Sequence, residues 1–405
     1  MANPAEYPDF LSGDVLITAL AGVHWRLHSS ALRNASKKLD QLLYSAGSGA
    51  TTRGAKAVDS GIKWRFRMLE EEDGRVHFEA AERLGKNQFT MPQNVNGIGG
   101  REPHYLKAYD NYFRAVYNLD PIFATTDIKY LLADALSLLN VAESLNGENC
   151  VRRVIESYLL REGNCLWKHI ASRPEAWSDM AVRLQSPTLF REAMCHIVGA
   201  WKLSIKETFL FALTNGPVIV RLAKRKVQQL DRKKQTMEED LMHFYPHSLI
   251  HRADPVTGRM PGRHNYASDI YLWLALILVR QYISTAMFRD QHHRATDGGA
   301  CLYRQISQGN AAYLIGSDLN GFWAEFEMSD RGKEALEFAV QYVKDQLRPF
   351  VSELLVDNTR AALSADAPVF TYLTCCSITD EELPWSAASL AEGNEDSCLN
   401  VEATD

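Results

Sequence analysis

Three histidines, His243, His247 and His251, recur every four residues, a spacing that would stack imidazoles along one face of a helix and suit a tetrahedral zinc ion. Pro246 falls between the first two and breaks such a helix, and no acidic or Cys ligand set accompanies them, so no metal is expected there. His292-His293 would diverge on a helix and offers less. The cysteines, Cys150, Cys165, Cys195, Cys301, Cys375, Cys376 and Cys398, form neither a CxxC pair nor a disulfide-dense framework. That usage fits a reducing, intracellular setting, cytoplasmic or nuclear.

A different chemistry is suggested by Arg221, Lys224, Arg225, Lys226, Arg232, Lys233 and Lys234. KRK followed after five residues by RKK has the form of a bipartite nuclear-import signal. The favoured reading is a solvated helix face balanced by Glu238, Glu239 and Asp240. The chain contains no Walker loop, Rossmann fingerprint, GxSxG elbow or HExxH, and no carboxylate pair is singled out by spacing. No catalytic, cofactor-binding or metal-ligating residue is therefore assigned, and the chain is expected not to be an enzyme.

The elements that would carry these residues divide at about residue 160, and 405 residues suffice for two cores. Asp14 to Leu20 and His24 to Leu27 read as a β-hairpin around Ala21-Gly22, with Trp25 and Leu27 on one face. Ser29 or Ser30 would cap a short helix over Leu32, followed by a second helix with Leu39, Leu42 and Leu43 inward. After a Gly/Ser/Ala/Thr-rich loop, Ile62, Trp64, Phe66 and Met68 alternate with Lys63, Arg65 and Arg67. Asp73-Gly74 turns, and Val76, Phe78 and Ala80 alternate back. The Lys/Arg face reads as the solvated side of a half-buried strand.

Beyond a Gly/Asn-rich loop from Pro92 to Gly100, Tyr105, Tyr109, Tyr112, Phe113 and Val116 form the inner stripe of a helix. Thr126 and Asp127 cap the next helix, whose stripe is Ile128, Leu131, Leu132, Ala135, Leu139 and Ala142. Cys150, Val154 and Tyr158, flanked by Val151, Ile155 and Leu159, begin its partner.

The second half reads as helical, over Ile197 to Leu213, Val218 to Leu230, Ile270 to Phe288 and Gly332 to Leu363. Ile270 to Val279 is too short an apolar run to span a membrane, and Asp269 and Arg280 bound it, so a buried helix is expected. After Arg360 there are nine acids and no Lys or Arg, which leaves the rest of the chain at net +3. Residues 366–405 are expected to be an acidic disordered tail, with Ser377 and Thr379 preceding Asp380-Glu381-Glu382 in an acid-directed phosphorylation context. The near-neutral body gives no case for nucleic acid.

Gly13-Asp14-Val15-Leu16-Ile17 is similar to the first strand of the BTB/POZ family, and Trp25-Arg26-Leu27-His28 through Leu32 and Ser36 is similar to its aromatic-x-x-His-x-x-x-Leu-x-x-x-Ser signature. Asp127 to Leu132 and Leu138 to Leu145 resemble its closing helix pair. The resemblance covers about residues 10 to 160 and implies an α+β BTB/POZ-like domain, small sheet with helices, over 1–160. It would carry a loop-and-hairpin insertion at about 45–104. A mainly α-helical, BACK-like domain over 161–365 would follow.

The structural signature residues would be Asp14, Trp25, His28, Leu32 and Ser36. Trp25 would fill the core and His28 would hydrogen-bond backbone at the strand-to-helix corner. The function implied is a protein-interaction adaptor or scaffold, with a cullin-type ubiquitin ligase as partner by family analogy and Tyr117, Leu119, Ile122 and Phe123 as the candidate interaction surface. The segment Asn118 to Thr126 lacks the hydrophobic-x-Glu element of cullin-binding members. Only thirteen residues precede the first strand, so a swapped homodimer is not expected. A nuclear regulatory or scaffold protein, and an unrecognised enzyme in the helical half, stand as alternatives.

Overall fold

The computed structural model describes residues 8–19, 23–46, 61–70, 76–80, 104–124, 127–267, 269–289, 291–361 and 369–387. The turn at Asp73-Gly74, the loop from Pro92 to Gly100, most of the loop at 45–61, Cys398 and the last acidic residues lie outside them. Two compact units divide the chain, Met1–Leu166 and Trp167–Asp405.

In the first unit, β1 (Val15–Thr18) and β2 (His24–Leu27) pair antiparallel, Val15 opposite Leu27 and Ile17 opposite Trp25. Helices α1 (Ser29–Ala35) and α2 (Lys37–Ala46) follow. Then β3 (Trp64–Glu70) returns parallel to β1 and pairs antiparallel with β4 (Val76–Ala80). The sheet order is β2-β1-β3-β4. Alternation buries Val15, Ile17, Trp25, Leu27, Phe66, Met68 and Phe78 on one face, where Leu32, Leu39 and Leu43 of α1 and α2 are buried as well.

Helices α3 (His104–Val116), α4 (Ile128–Ser144) and α5 (Arg152–Arg161) complete this unit. Tyr109, Tyr112 and Phe113 are the buried aromatics of α3. Asp127 caps α4 by accepting from the Lys129 amide, as its position in the sequence implied. Two details differ from the sequence pattern. Val151, Ile155 and Leu159, not Cys150, Val154 and Tyr158, form the buried stripe of the α5 region. A run with apolar residues on adjacent positions leaves the phase of a stripe open by one residue. The N-cap of α1 is His28, without a side-chain bond, because Asp14 accepts from both the Ser29 amide (2.7 Å) and its hydroxyl (2.8 Å) across the hairpin.

The second unit is helical, and α6 (Asn164–Ser172) spans the division. Next come α7 (Pro174–Leu184), α8 (Pro187–Gly199), α9 (Glu207–Phe211) and α10 (Gly216–His243). They are followed by α11 (Arg263–Ala267), α12 (Ile270–Phe288), α13 (Ala300–Gln308), α14 (Asn320–Glu325) and α15 (Asp330–Ser352). The single helix expected over 197–213 is two pieces, α8 and α9, parted at residues 200–206. Pro217 stands in the first turn of α10, where a missing amide hydrogen costs nothing, so it opens the helix.

The expectation of a disordered tail does not hold for residues 369–387. Leu373, Cys376, Ile378 and Leu383 are buried, and Trp385 packs edge-on to Phe190 at 5.7 Å. Arg191 donates to the Ile378 carbonyl (2.9 Å) and to Asp380 (2.5 Å). Lys226 and Glu382 pair at 2.7 Å. Asp380 and Glu382 are thus partners for bases on α8 and α10, and this offsets much of the segment's negative charge within the fold.

Candidate interaction surface of the helical unit

Helix α12 is apolar on nearly all sides, and by length and composition alone it could cross a membrane. A helix of that composition is ordinarily buried all round. Here its inner face, Ala275, Leu276, Val279 and Ile283, is buried, and α12 packs along α15. Ile270 and Ile277, however, are 52% and 57% exposed, with Trp273 and Leu274 half-buried between them. These four stand at i, i+3, i+4 and i+7, one stripe of a helix. The buried helix expected from its sequence therefore has one side open.

Residues around the stripe fix it in place. Tyr245, 46% exposed, sets its ring edge-on to Trp273 at 6.4 Å, and the Arg280 guanidinium lies 4.3 Å from the Tyr245 ring centre. Arg280 also donates to the Phe244 carbonyl (2.7 Å), and Phe244 meets Phe350 of α15 edge-on at 5.5 Å. The segment leading into α12 is held by His251, whose Nε2 lies 2.8 Å from Asp269 and whose ring contacts Tyr266. Between them Arg252, Arg259 and Arg263 are exposed, with Asp254 as the one acid of residues 251–264. Asp254 is committed to the amides of Val256 and Thr257, and these bonds hold its carboxyl below the ordinary carboxylate range.

Buried polar groups lock elements of the helical unit together. Lys344, 2% exposed, donates to the carbonyls of Asn310 (2.9 Å), Tyr313 (2.5 Å) and Leu314 (3.1 Å), and burial draws its ammonium below the ordinary lysine value. Glu238 accepts from the Tyr303 hydroxyl (2.6 Å) and the His293 amide (2.8 Å), and His293 Nδ1 lies 2.6 Å from its other oxygen. Gly299, at φ +84°, lets Tyr303 close on that carboxylate, since a Cβ there would stand 2.6 Å from the tyrosine ring and hydroxyl. Glu192 and His196 are buried 3.6 Å apart on α8, with His196 Nδ1 2.9 Å from the Tyr372 hydroxyl.

The histidines singled out by spacing are not brought together. His243 bonds the Glu239 carbonyl, His251 bonds Asp269, and among the described residues no group of His, Cys, Asp and Glu could hold a metal ion. The basic stretch is not a uniform solvated face either. Lys226 is bound to Glu382, and Lys234 is buried against Asp231 at 2.7 Å. Glu238, expected to balance it, is buried elsewhere in the Tyr303 cluster.

In the first unit, Trp25 is fully buried and its indole donates to Asp110 (3.1 Å). Leu32 is buried, and Ser36 accepts from the Leu39 amide while donating to the Leu145 carbonyl. His28 bonds side chains, not backbone: Ser12 at 2.9 Å and Tyr117 at 3.2 Å. Of the candidate surface, Leu119 and Ile122 are 41% exposed, but Phe123 is buried edge-on to Tyr158, and Tyr117 turns to His28 and Phe10. Two of the four residues are therefore structural.

A family model for the FF domain, in its fungal form, matches residues 246–353. The match takes in the stripe of α12, the basic approach to it and the Lys344 clasp. No curated protein and no solved structure matches the chain significantly. The expected BTB/POZ membership is corrected by this result, because the FF domain and not BTB/POZ is the family found. The same match replaces the BACK-like label over that part of the helical unit. The matched segment supports a protein-interaction module, and the cullin-type partner loses the resemblance on which it rested. Neither sequence spacing nor composition distinguished the exposed side of α12, since a uniformly apolar helix has no hydrophobic phase from which to read it.

Proposed function

We propose that the protein is an interaction adaptor that binds an acidic or phosphorylated segment of a protein partner through α12 and its basic approach. The exposed stripe Ile270, Trp273, Leu274 and Ile277, lying inside the FF-matched residues, carries this reading. FF domains bind phosphorylated proteins, and Arg252, Arg259 and Arg263 would meet such a charge while the apolar stripe takes side chains of the same segment. On this reading the chain binds its partner without transforming it.

A nuclear regulatory role is the second reading, favoured because FF domains serve in transcription and splicing. The basic stretch of α10 gives it little help, with Lys226 and Lys234 engaged inside the fold.

An array of acidic, aromatic-containing peptides, with and without phosphoserine, tests the proposal. Wild-type chain is expected to bind a subset, Ile277→Asp to bind at least about tenfold more weakly, as loss of a central apolar anchor implies, and Arg259→Ala/Arg263→Ala to lose the salt-sensitive part. Equal binding by wild type and Ile277→Asp, or no binding at all, would overturn the assignment of this surface.

A further inference from the structure

A cleft of about 570 Å³ opens between α10, the C-terminal end of α15 and residues 375–377, outside the α12 surface. Lys226, Arg232 and Lys233 line it from α10, and Ser377 lines it from the C-terminal segment. Lys226 is committed to Glu382. Arg232 and Lys233 are exposed, and neither forms an ion pair among the described residues. Asp240 and Glu353 also line the cleft. Asp240 stands seven residues beyond Lys233, about 10 Å along the helix axis.

Two of the cleft's cations, Lys226 and Lys233, act at the Ser377 end, together with Glu382. Burial pushes the thiol of Cys376, the neighbour of Ser377, up to about 12, and the ammonium groups of Lys226 and Lys233 are near enough to oppose that rise. Ser377 itself is exposed, while Cys376 and Ile378 on either side are buried. The segment from 373 to 379 contains neither helix nor strand, so the serine is presented outward on an anchored, irregular stretch. Asp380, Glu381 and Glu382 follow it at the third, fourth and fifth positions. The Asp380 side chain remains 86% exposed despite its pairing with Arg191.

We propose that Ser377 is a phosphorylation site for an acid-directed protein kinase, and that Arg232 and Lys233 receive the phosphate and fasten residues 369–387 to α10. In the transfer, Ser377 Oγ attacks the γ-phosphorus of ATP. The Oγ–P bond forms as the bond to the oxygen bridging the β- and γ-phosphorus breaks, ADP leaves with that electron pair, and the hydroxyl proton passes to the kinase's base. The product places about two negative charges beside Arg232 and Lys233, which have no ion-pair partner among the described residues, the arrangement in which phosphorylation orders a segment. Thr379 also has an acid three residues on, but Glu382 is already taken up by the Thr379 amide (3.0 Å) and by Lys226.

The test uses the full chain, an acid-directed kinase and Mg·ATP. Mass spectrometry is expected to place phosphate on Ser377, and Ser377→Ala to remove that label. Phosphorylation should raise the melting temperature by about 2–4 °C, the scale of one charge-assisted contact in a unit of this size. In Arg232→Ala/Lys233→Ala, confirmed to melt like wild type before modification, the rise should disappear. The phosphorus-31 titration midpoint of the phosphoserine should likewise lie lower in wild type than in the double variant, since neighbouring cations favour the dianion. Phosphate only on Thr379 or beyond residue 387, or no incorporation, would overturn the site. Equal midpoints and equal melting shifts in wild type and the double variant would overturn the receptor.

Discussion

The two units bury polar groups in different ways. Among the described residues the N-terminal unit buries Ser36, Asp110 and Asn111, of which only Asp110 is ionisable, and two of the three reach far along the chain, Ser36 to Leu145 and Asp110 to Trp25. Ser36 precedes α2, Asp110 pairs with Arg114 one turn away and accepts from Trp25, and Asn111 bonds the Ile122 backbone. The helical unit buries Glu192, His196, Lys234, Glu238 and Lys344, and most of their partners come from distant stretches of chain. Glu238 and Tyr303 are 65 residues apart, and His196 and Tyr372 are 176 apart. Burial in the first unit follows hydrophobicity closely. In the second, paired charges and hydrogen bonds set how irregular segments join the helices.

The largest expected effect tests the apolar side of this contrast. Trp25→Ala should destabilise the N-terminal unit by about 3–5 kcal/mol, the cost of removing a large buried aromatic. An unchanged urea midpoint would show that this core does not depend on its indole. Glu238→Ala should cost the helical unit about 2–3 kcal/mol, because the buried Tyr303 hydroxyl and the His293 amide lose their common acceptor. If urea denaturation of that variant matched wild type, the polar hub would be incidental to the unit's stability.

A smaller effect follows from Glu382. Burial pushes its carboxyl up, but the hydrogen bonds from Lys226 and the Thr379 amide, with the charges of Lys226 and Arg225, outweigh this and hold it below its ordinary 4.5. A depressed folded value means that the stabilisation is present above the unfolded value and is lost as pH falls through the folded one. Between about pH 5 and pH 3, Trp385 fluorescence should report loosening of residues 369–387. Lys226→Ala should flatten that transition, and an identical profile would remove the ion pair from the account. Least affected should be Arg65→Ala, on the exposed side of β3, within about 0.5 kcal/mol in the same urea assay. A larger loss would show that this strand face is covered.

The contrast also explains what could be read in advance. Period-two alternation placed β1 to β4 and their buried residues, and the boundaries of α12 fell at Ile270 and Phe288 as its apolar run indicated. Residues 369–387 escaped because their anchors, Arg191, His196 and Lys226, are more than 140 residues away in sequence. The sequence points His28 to backbone partners, whereas Ser12 and Tyr117 supply side-chain ones. The exposed stripe of α12 was hidden by the uniform apolarity of the helix, and the cleft at Ser377 needed three separate segments to meet.

The burial of Cys195, on α8, and of Cys376, within the C-terminal segment itself, has a practical consequence. Cys195 donates to the Cys376 carbonyl, and burial raises both thiols, so neither offers a thiolate to an alkylating reagent while the segment is seated. Cys165 and Cys301 are exposed and should label at once. The chain therefore carries its own clock: Cys165 and Cys301 set the zero, and the lag before Cys195 and Cys376 react measures how often residues 369–387 lift away.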